Sequence, residues 1–410
     1  MRDPSSQSYV GLDIGTSAVR CVVGMIDPAS PGDLSIIGTG SAHNLGMRKG
    51  VVVHVDDVVD AIVRAVTEAE RISGLRIGGA TVNINGSHIN GINSRGVIAI
   101  SAANREISQD DRMRVEEAAT IVKLPSNRDI VQVFAKNYRL DGQENIKDPV
   151  GMHGVRLEVD THIVTASMPN LRNLDMALEK AQVRIHNHTL SSLAAAEAAL
   201  NRQQKEAGTV LLDIGAGTTN LVVFEDGEVQ YVGVLPIGGM HITNDLAIGL
   251  KTDLDVAEAV KVNHARIGEE IPKQNDLRVK INGHDYAFKS DEVTMIAQAR
   301  VEELLEYVDK ELSRIHRSHK LPGGIVLVGG TAKLPGLAEV TRDKLELAAR
   351  IGKVRNISGL VDKVSDPSYY TATGLMMLDM LLMPEDSHDQ SRQSFKAMNF
   401  VEHILRKVRP

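Results

Sequence analysis

The sequence predicts an α/β fold of two similar lobes, with a strand–helix–strand–strand subdomain inserted into the first. Three observations predict it. The segment Gly11-Leu-Asp-Ile-Gly-Thr-Ser-Ala-Val-Arg-Cys-Val-Val23 recurs half a chain later as Leu211-Leu-Asp-Ile-Gly-Ala-Gly-Thr-Thr-Asn-Leu-Val-Val223. Each copy reads as two strands joined by an Asp-x-Gly turn, which is a β-hairpin rather than a strand-to-helix turn. Between the copies, helical periodicity alternates with strand-like runs, and the pattern breaks after Asn85.

The helix at Val55–Ser73 follows from apolar Val58, Val59, Ile62, Val66 and Ala69, with acids early and Arg71 late. Thr81–Asn85 reads as a strand, Gly86–Gly96 as a Gly-, Asn- and Ser-rich loop, and Val97–Ile100 as a short strand. Ser108 is the expected N-cap of a helix running to about Val122. Strands follow at Ile130–Leu140 and Val155–Ala166. In the second half, Asp253–His264 and Ser290–His316 read as helices, and Asn282-Gly283 as a hairpin turn between Arg278–Ile281 and Tyr286–Phe288. Ile325–Val328 is a buried strand ending in Gly329-Gly330.

These readings divide the chain into a first-lobe core at 1–85 and 164–190 and an insert at 86–163. The second-lobe core takes 191–245 and 305–383, with a small subdomain at 246–304. A polar linker at 384–394 and a terminal helix at 395–410 complete it. Hydrophobic residues make up 42% and charged residues 24%, too apolar for a disordered chain. The formal charge of -7, without a basic run before the tail, argues against general nucleic-acid binding. The single cysteine, Cys21, excludes an internal disulfide, and a reducing compartment is expected. Neither a transmembrane stretch nor a signal peptide is read in the sequence.

The paired hairpins carry the chemistry. Glycine turns let backbone N–H groups approach phosphate oxygens, and neighbouring hydroxyls add donors. The first turn offers Gly15, Thr16 and Ser17; the second offers Gly215, Ala216, Gly217, Thr218, Thr219 and Asn220. Asp13 and Asp213 would hold Mg²⁺ through its waters, since that ion accepts few carboxylates. Either hairpin alone reads as a structural turn, whereas the pair reads as a nucleotide clamp. Gly329, Gly330 and Thr331 sit at a strand's carboxyl end, where an adenine ring can lie against backbone. The small residues of Ser192–Leu200 and Ala372–Met377 permit close helix crossing, as a hinge requires. Glu197, within the first, is a candidate water-activating group or a solvated helix residue.

The tail stands on its own physics. On a helix at about 100° per residue, Phe400, Val401, Ile404, Leu405 and Val408 share one arc with Met398. Lys407, Lys396, Arg406 and Arg409 lie opposite. That pattern suits a helix lying in the plane of an anionic membrane surface.

In this order the segments resemble the phosphate-1, connect-1, phosphate-2, adenosine and connect-2 motifs of the actin-like ATPase superfamily. Within it the chain is most similar to the FtsA family of bacterial division proteins. Met47–Asp56, Gly238–Ala247, Ala257–Lys261 and Gly329–Leu337 carry that resemblance, and the insert falls where the family has its distinctive subdomain. The resemblance implies an actin-like two-lobed fold binding ATP with Mg²⁺, with Glu258 and Lys261 against ribose and adenine. Asp213 would serve any slow hydrolysis. It further implies head-to-tail self-association, and capture of the FtsZ C-terminal peptide near Arg300 and Glu303. The tail would attach the protein to the cytoplasmic face of the membrane at the septum, where later division proteins join. A PilM-like assembly scaffold and a small-molecule kinase of the same superfamily are the alternatives.

Overall fold

A computed structural model describes residues 8–26, 34–268, 276–281, 283–355 and 357–382. The first lobe opens with β1 (Ser8–Ile14), β2 (Ala18–Ile26) and β3 (Leu34–His43). The short β4 (Met47–Arg48) and β5 (Val51–Val52) precede α1 (Val55–Ser73) and β6 (Gly79–Ile84). α1 buries Val58, Ala61, Ile62, Ala65, Val66 and Ala69 along one stripe, and it stops at Gly74 in the left-handed conformation.

The insert comprises β7 (Asn90–Ala99), α2 (Gln109–Ala119), β8 (Arg128–Leu140), β9 (Gln143–Ile146) and β10 (Arg156–Ser167). Ser108 caps α2 in a capping box with Asp111, as its position predicts. Two details differ from the sequence reading. The segment read as a loop before Val97 is already strand, and β9 is an additional strand. β9 pairs back on β8 across Asp141-Gly142, both at positive φ (50° and 91°), the geometry of a tight hairpin turn.

The chain returns to the first lobe through α3 (Met168–Lys180), β11 (Arg184–Leu190) and α4 (Ser191–Ala199). The second lobe holds α5 (Arg202–Ala207), β12 (Thr209–Ile214), β13 (Thr219–Glu225), β14 (Glu228–Leu235), α6 (Gly239–Gly249) and α7 (Leu254–His264). There follow β15 (Asp276–Ile281), β16 (His284–Lys289), α8 (Ser290–Arg314), β17 (Gly324–Val328), α9 (Leu337–Leu345) and β18 (Ala349–Ile351). β19 (Ile357–Gly359), α10 (Val361–Val364) and α11 (Tyr370–Leu382) close the described chain.

The sheets repeat one plan. The first is ordered β11-β6-β1-β2-β3-β19 and the second β14-β13-β12-β17-β18. In each, a hairpin strand carrying Asp-x-Gly pairs antiparallel with its successor and parallel with a later strand. The chain duplication is thus a duplication of topology. α4 and α11 cross between the lobes, so close that a Cβ on Gly374 would sit 1.7 Å from the Ala194 carbonyl oxygen.

The insert sheet, ordered β7-β10-β8-β9, docks on the second lobe through His162. Its Nε2 accepts from the Val232 N–H at 3.1 Å, and its Nδ1–H faces Asn93 Oδ1 at 2.8 Å. Burial, reinforced by the nearby Lys136, lowers the imidazole pKa to about 4. The native state therefore holds this ring neutral while the unfolded chain protonates it below its ordinary 6.5. Stability from this contact is full above that value and is lost as pH falls towards 4. We expect His162→Gln to flatten the fall in melting temperature between pH 6.5 and 4.5, measured against the parent by calorimetry.

Candidate functional site

The two hairpins face each other across a cleft of about 490 Å³. Asp13, Gly15, Thr16 and Ser17 line it from the first lobe, and Asp213, Gly215, Ala216, Thr218 and Asn220 from the second. Glu258, Lys261, Gly329, Gly330 and Thr331 complete the predicted set along the second-lobe wall. Sequence positions more than 300 residues apart thus converge on one site.

Other predicted residues support the walls or lie elsewhere. Thr219 is fully buried behind the second turn, donating to the Ile237 carbonyl at 2.8 Å. Gly217 packs against Thr16, whose Oγ1 lies 2.9 Å from where a Cβ would be. Glu197 does not line the cleft: its carboxylate pairs with Lys205 at 2.8 Å on the far side of α4. Arg300 and Glu303 pair with each other on α8, and Asp245 holds the same guanidinium. Phe400, Val401, Ile404, Leu405, Lys407 and Val408 lie outside the described residues.

Backbone hydrogen bonds and close glycine packing shape both turns. The first turn closes by a bond from the Gly15 N–H to the Ala18 carbonyl at 3.1 Å, and the second by one from Gly215 to Thr218 at 2.9 Å. The N-terminus of α6 docks on the second turn, Gly239 and Met240 donating to the Gly215 and Ala216 carbonyls. Gly329, at φ 88°, approaches so near that a Cβ would lie 2.5 Å from Asp213 Oδ1. Thr331 Oγ1 ties this turn to the Gly215 carbonyl at 3.0 Å. Lys261 Nζ bonds Glu258 at 2.6 Å and the Gly239 carbonyl at 3.2 Å, so both members of that pair edge the cleft.

The electrostatics fit a cation. Burial pushes the Asp13 pKa up to about 7, against the pull of Arg20 and with a further push from Asp213. Burial likewise raises Asp213 to about 6, opposed by bonds from Asn220 and Thr371 and by Arg20. Two buried acids without enough compensating charge are the environment a divalent ion relieves. Among the described residues no group of three or more His, Cys, Asp or Glu gathers.

Sequence reasoning missed Arg20, Asn83 and Asn85. Arg20 stands opposite Asp13 in the β1–β2 register, as Asn220 stands opposite Asp213. Applying the repeat to the position seven residues after each Asp would have found it. Its guanidinium lies over the Tyr369 ring at 5.5 Å, and its buried Nε lacks a hydrogen-bond partner among the described residues.

Two lobes on one hairpin plan, each directing an acid and a glycine turn into a shared cleft, define an actin-like ATPase fold. Solved structures share it. The PilM–PilN type IV pilus biogenesis complex matches with TM-score 0.65 at 18% identity, over 92% of this chain and 99% of that one. MreB5 of Spiroplasma citri bound to ADP matches with TM-score 0.54 at 12% identity, over 92% and 97%. The chain itself belongs to the FtsA family of cell division proteins. It is 39% identical to Cell division protein FtsA of Bacillus subtilis over 376 residues, 91% of this chain and 83% of that protein. Against the Pseudomonas aeruginosa FtsA it is 35% identical over 382 residues, 91% and 89% of the two chains. The family profile for Cell division protein FtsA matches residues 210–374, and that for the SHS2 domain inserted in FtsA matches 86–165.

Proposed function

We propose that this protein binds Mg-ATP in the cleft, assembles head to tail, and tethers FtsZ filaments to the inner face of the cytoplasmic membrane at the septum. The observation that carries the reading is the convergence of Asp13 and Asp213, with both glycine turns, on one cleft. Gly15, Thr16 and Ser17 would receive phosphate from one side, and Gly215, Ala216 and Thr218 from the other. Asp13 and Asp213 would hold the hydrated Mg²⁺, and Glu258, Lys261 and Gly330 would face the nucleoside. When bound, Mg²⁺ supplies charge neutralisation for the phosphates. Turnover is expected to be slow at most, with Asp213 serving it.

The family supports the partners: FtsZ through its C-terminal peptide, a second copy of this chain, and later division proteins. The small subdomain of the second lobe exposes Ile248, Leu254 and Met295, apolar surface suited to such contacts. Arg300 and Glu303 are the proposed peptide contacts. The insert would meet the next subunit of a filament.

No helix among the described residues is long and apolar enough to cross a membrane, so attachment is assigned to the tail. Burial of its apolar arc supplies the attraction, each basic residue near anionic lipid adds roughly 1 kcal/mol, and a filament presents many tails together. Liposome co-sedimentation tests this. The parent is expected to pellet with anionic vesicles, and Ile404→Glu/Leu405→Glu and a truncation after Pro384 to remain in solution. Pelleting of both variants as well as the parent would place the anchor elsewhere.

A further inference from the structure

The repeat makes one strand end conspicuous. In the second lobe the parallel register sets Asp213 beside Val328, a fully buried apolar residue. In the first lobe the same register pairs Leu12 with Val82 and so brings Asp13 beside Asn83. The duplicated fold is thus satisfied by valine at this place, and the first lobe has an amide that is only 1% exposed. A buried amide is costly unless its groups are bonded.

Every polar group of Asn83 is used. Its Oδ1 accepts from the Ile14 N–H at 2.7 Å. Its Nδ2 donates to Asp13 Oδ1 at 2.8 Å and to Ser191 Oγ, at the start of α4, at 3.0 Å. Two residues on, Asn85 reaches the other lobe: its Nδ2 donates to Thr218 Oγ1 at 3.1 Å. Its Oδ1 accepts from the Gly86 N–H at 2.6 Å, which fixes the side chain across the cleft. Thr218 is itself buried and belongs to the second phosphate turn.

We propose that the end of β6 couples the two hairpins: Asn83 orients the Asp13 carboxylate for a divalent cation, and Asn85 holds the second phosphate turn against the first lobe. Both are positioning residues, acting through Asp13 and Thr218. The inference rests on the Mg-ATP reading of the cleft. It assigns a function to two amides that the repeat leaves unexplained.

The test is ATP affinity titrated against Mg²⁺ in the full chain. Asn83→Val copies the second lobe's solution to the same packing problem, so it removes the donor with little change in volume. It is expected to raise the Mg²⁺ concentration for half-maximal ATP binding by about tenfold, leaving Mg²⁺-free ATP affinity unchanged. Where that variant does not fold, Asn83→Ser is measured in the same way. For the second arm, Asn85→Ala and Thr218→Val are each expected to weaken Mg-ATP binding, and the double variant no more than Thr218→Val alone. A parent-like Mg²⁺ dependence in the Asn83 variant, or additive losses in the Asn85 and Thr218 cycle, would overturn the coupling. A parent that binds ATP with no Mg²⁺ dependence, or not at all, would overturn the reading of the cleft and this inference with it.

Discussion

Asp213→Ala is expected to lower Mg-ATP affinity by at least about 100-fold, roughly 2.7 kcal/mol, while leaving the apoprotein folded. The carboxylate is 7% exposed, bonded by Asn220 at 3.3 Å, and faces the phosphate turns. The sign of the stability effect separates a ligand-directed acid from a structural one. Its folded pKa, about 6, stands above its ordinary 3.8, so the native state holds the proton more tightly than the unfolded chain. The ionised group therefore costs stability increasingly as pH rises from about 4 to 6, and remains a cost above that. At pH 7.5 the Ala variant should melt no lower than the parent without nucleotide. Adding Mg-ATP should raise the parent's melting temperature and leave the variant's unmoved. Calorimetric titration and thermal melts read both effects.

Gly374→Val is expected to destabilise the fold strongly at a position away from the cleft. A Cβ there would meet the Ala194 carbonyl oxygen at 1.7 Å and the Ala194 carbonyl carbon at 2.4 Å. Backbone cannot step aside as a flexible side chain can. α4 and α11 would have to separate, opening the packing of Ala194 on Leu375 and Leu378. The cost lies at or above the upper end of the roughly 1–3 kcal/mol typical of overpacking, and soluble yield should fall with melting temperature. Gly78→Ala is the control. Nothing lies within 4 Å of a Cβ at that position, so its melting temperature should match the parent's.

Much of this architecture was legible because local chemistry and tertiary role coincide. The hairpins announce themselves through Asp-x-Gly between apolar runs, and α1 through its stripe, first-turn acids and late Arg71. Reading failed where glycine serves packing instead of turning. β7 looks like a loop because it carries Gly91 and Gly96, yet a Cβ on Gly96 would stand 2.0 Å from the Val115 carbonyl oxygen of α2. β3 escaped notice for the same reason: Gly40 lies where a Cβ would be 1.9 Å from the Ala65 carbonyl oxygen of α1. Glycine in these strands marks a helix laid directly on the sheet. α3, opening with Met168-Pro169, was hidden by its own proline, which is tolerated in a first turn.

The site divides along a similar line. Residues that present backbone or carboxylate from a turn were readable from their spacing. Residues that act by reaching across were not. Asn83 contacts Asp13 from 70 residues away, and Asn85 contacts Thr218 from 133 away. Glu197 was open between a water-activating group and a solvated helix residue, because spacing alone does not say what its carboxylate meets. Lys205, on the following helix, donates to it at 2.8 Å.

The central claim is that one nucleotide is held between the two hairpins. A crystal or cryo-electron-microscopy structure with Mg²⁺ and a non-hydrolysable ATP analogue tests it most directly. The account predicts the phosphates between Gly15–Ser17 on one side and Gly215–Thr218 on the other, with the cation between Asp13 and Asp213. Phosphates bound elsewhere, or a cleft left empty at saturating analogue, would contradict it.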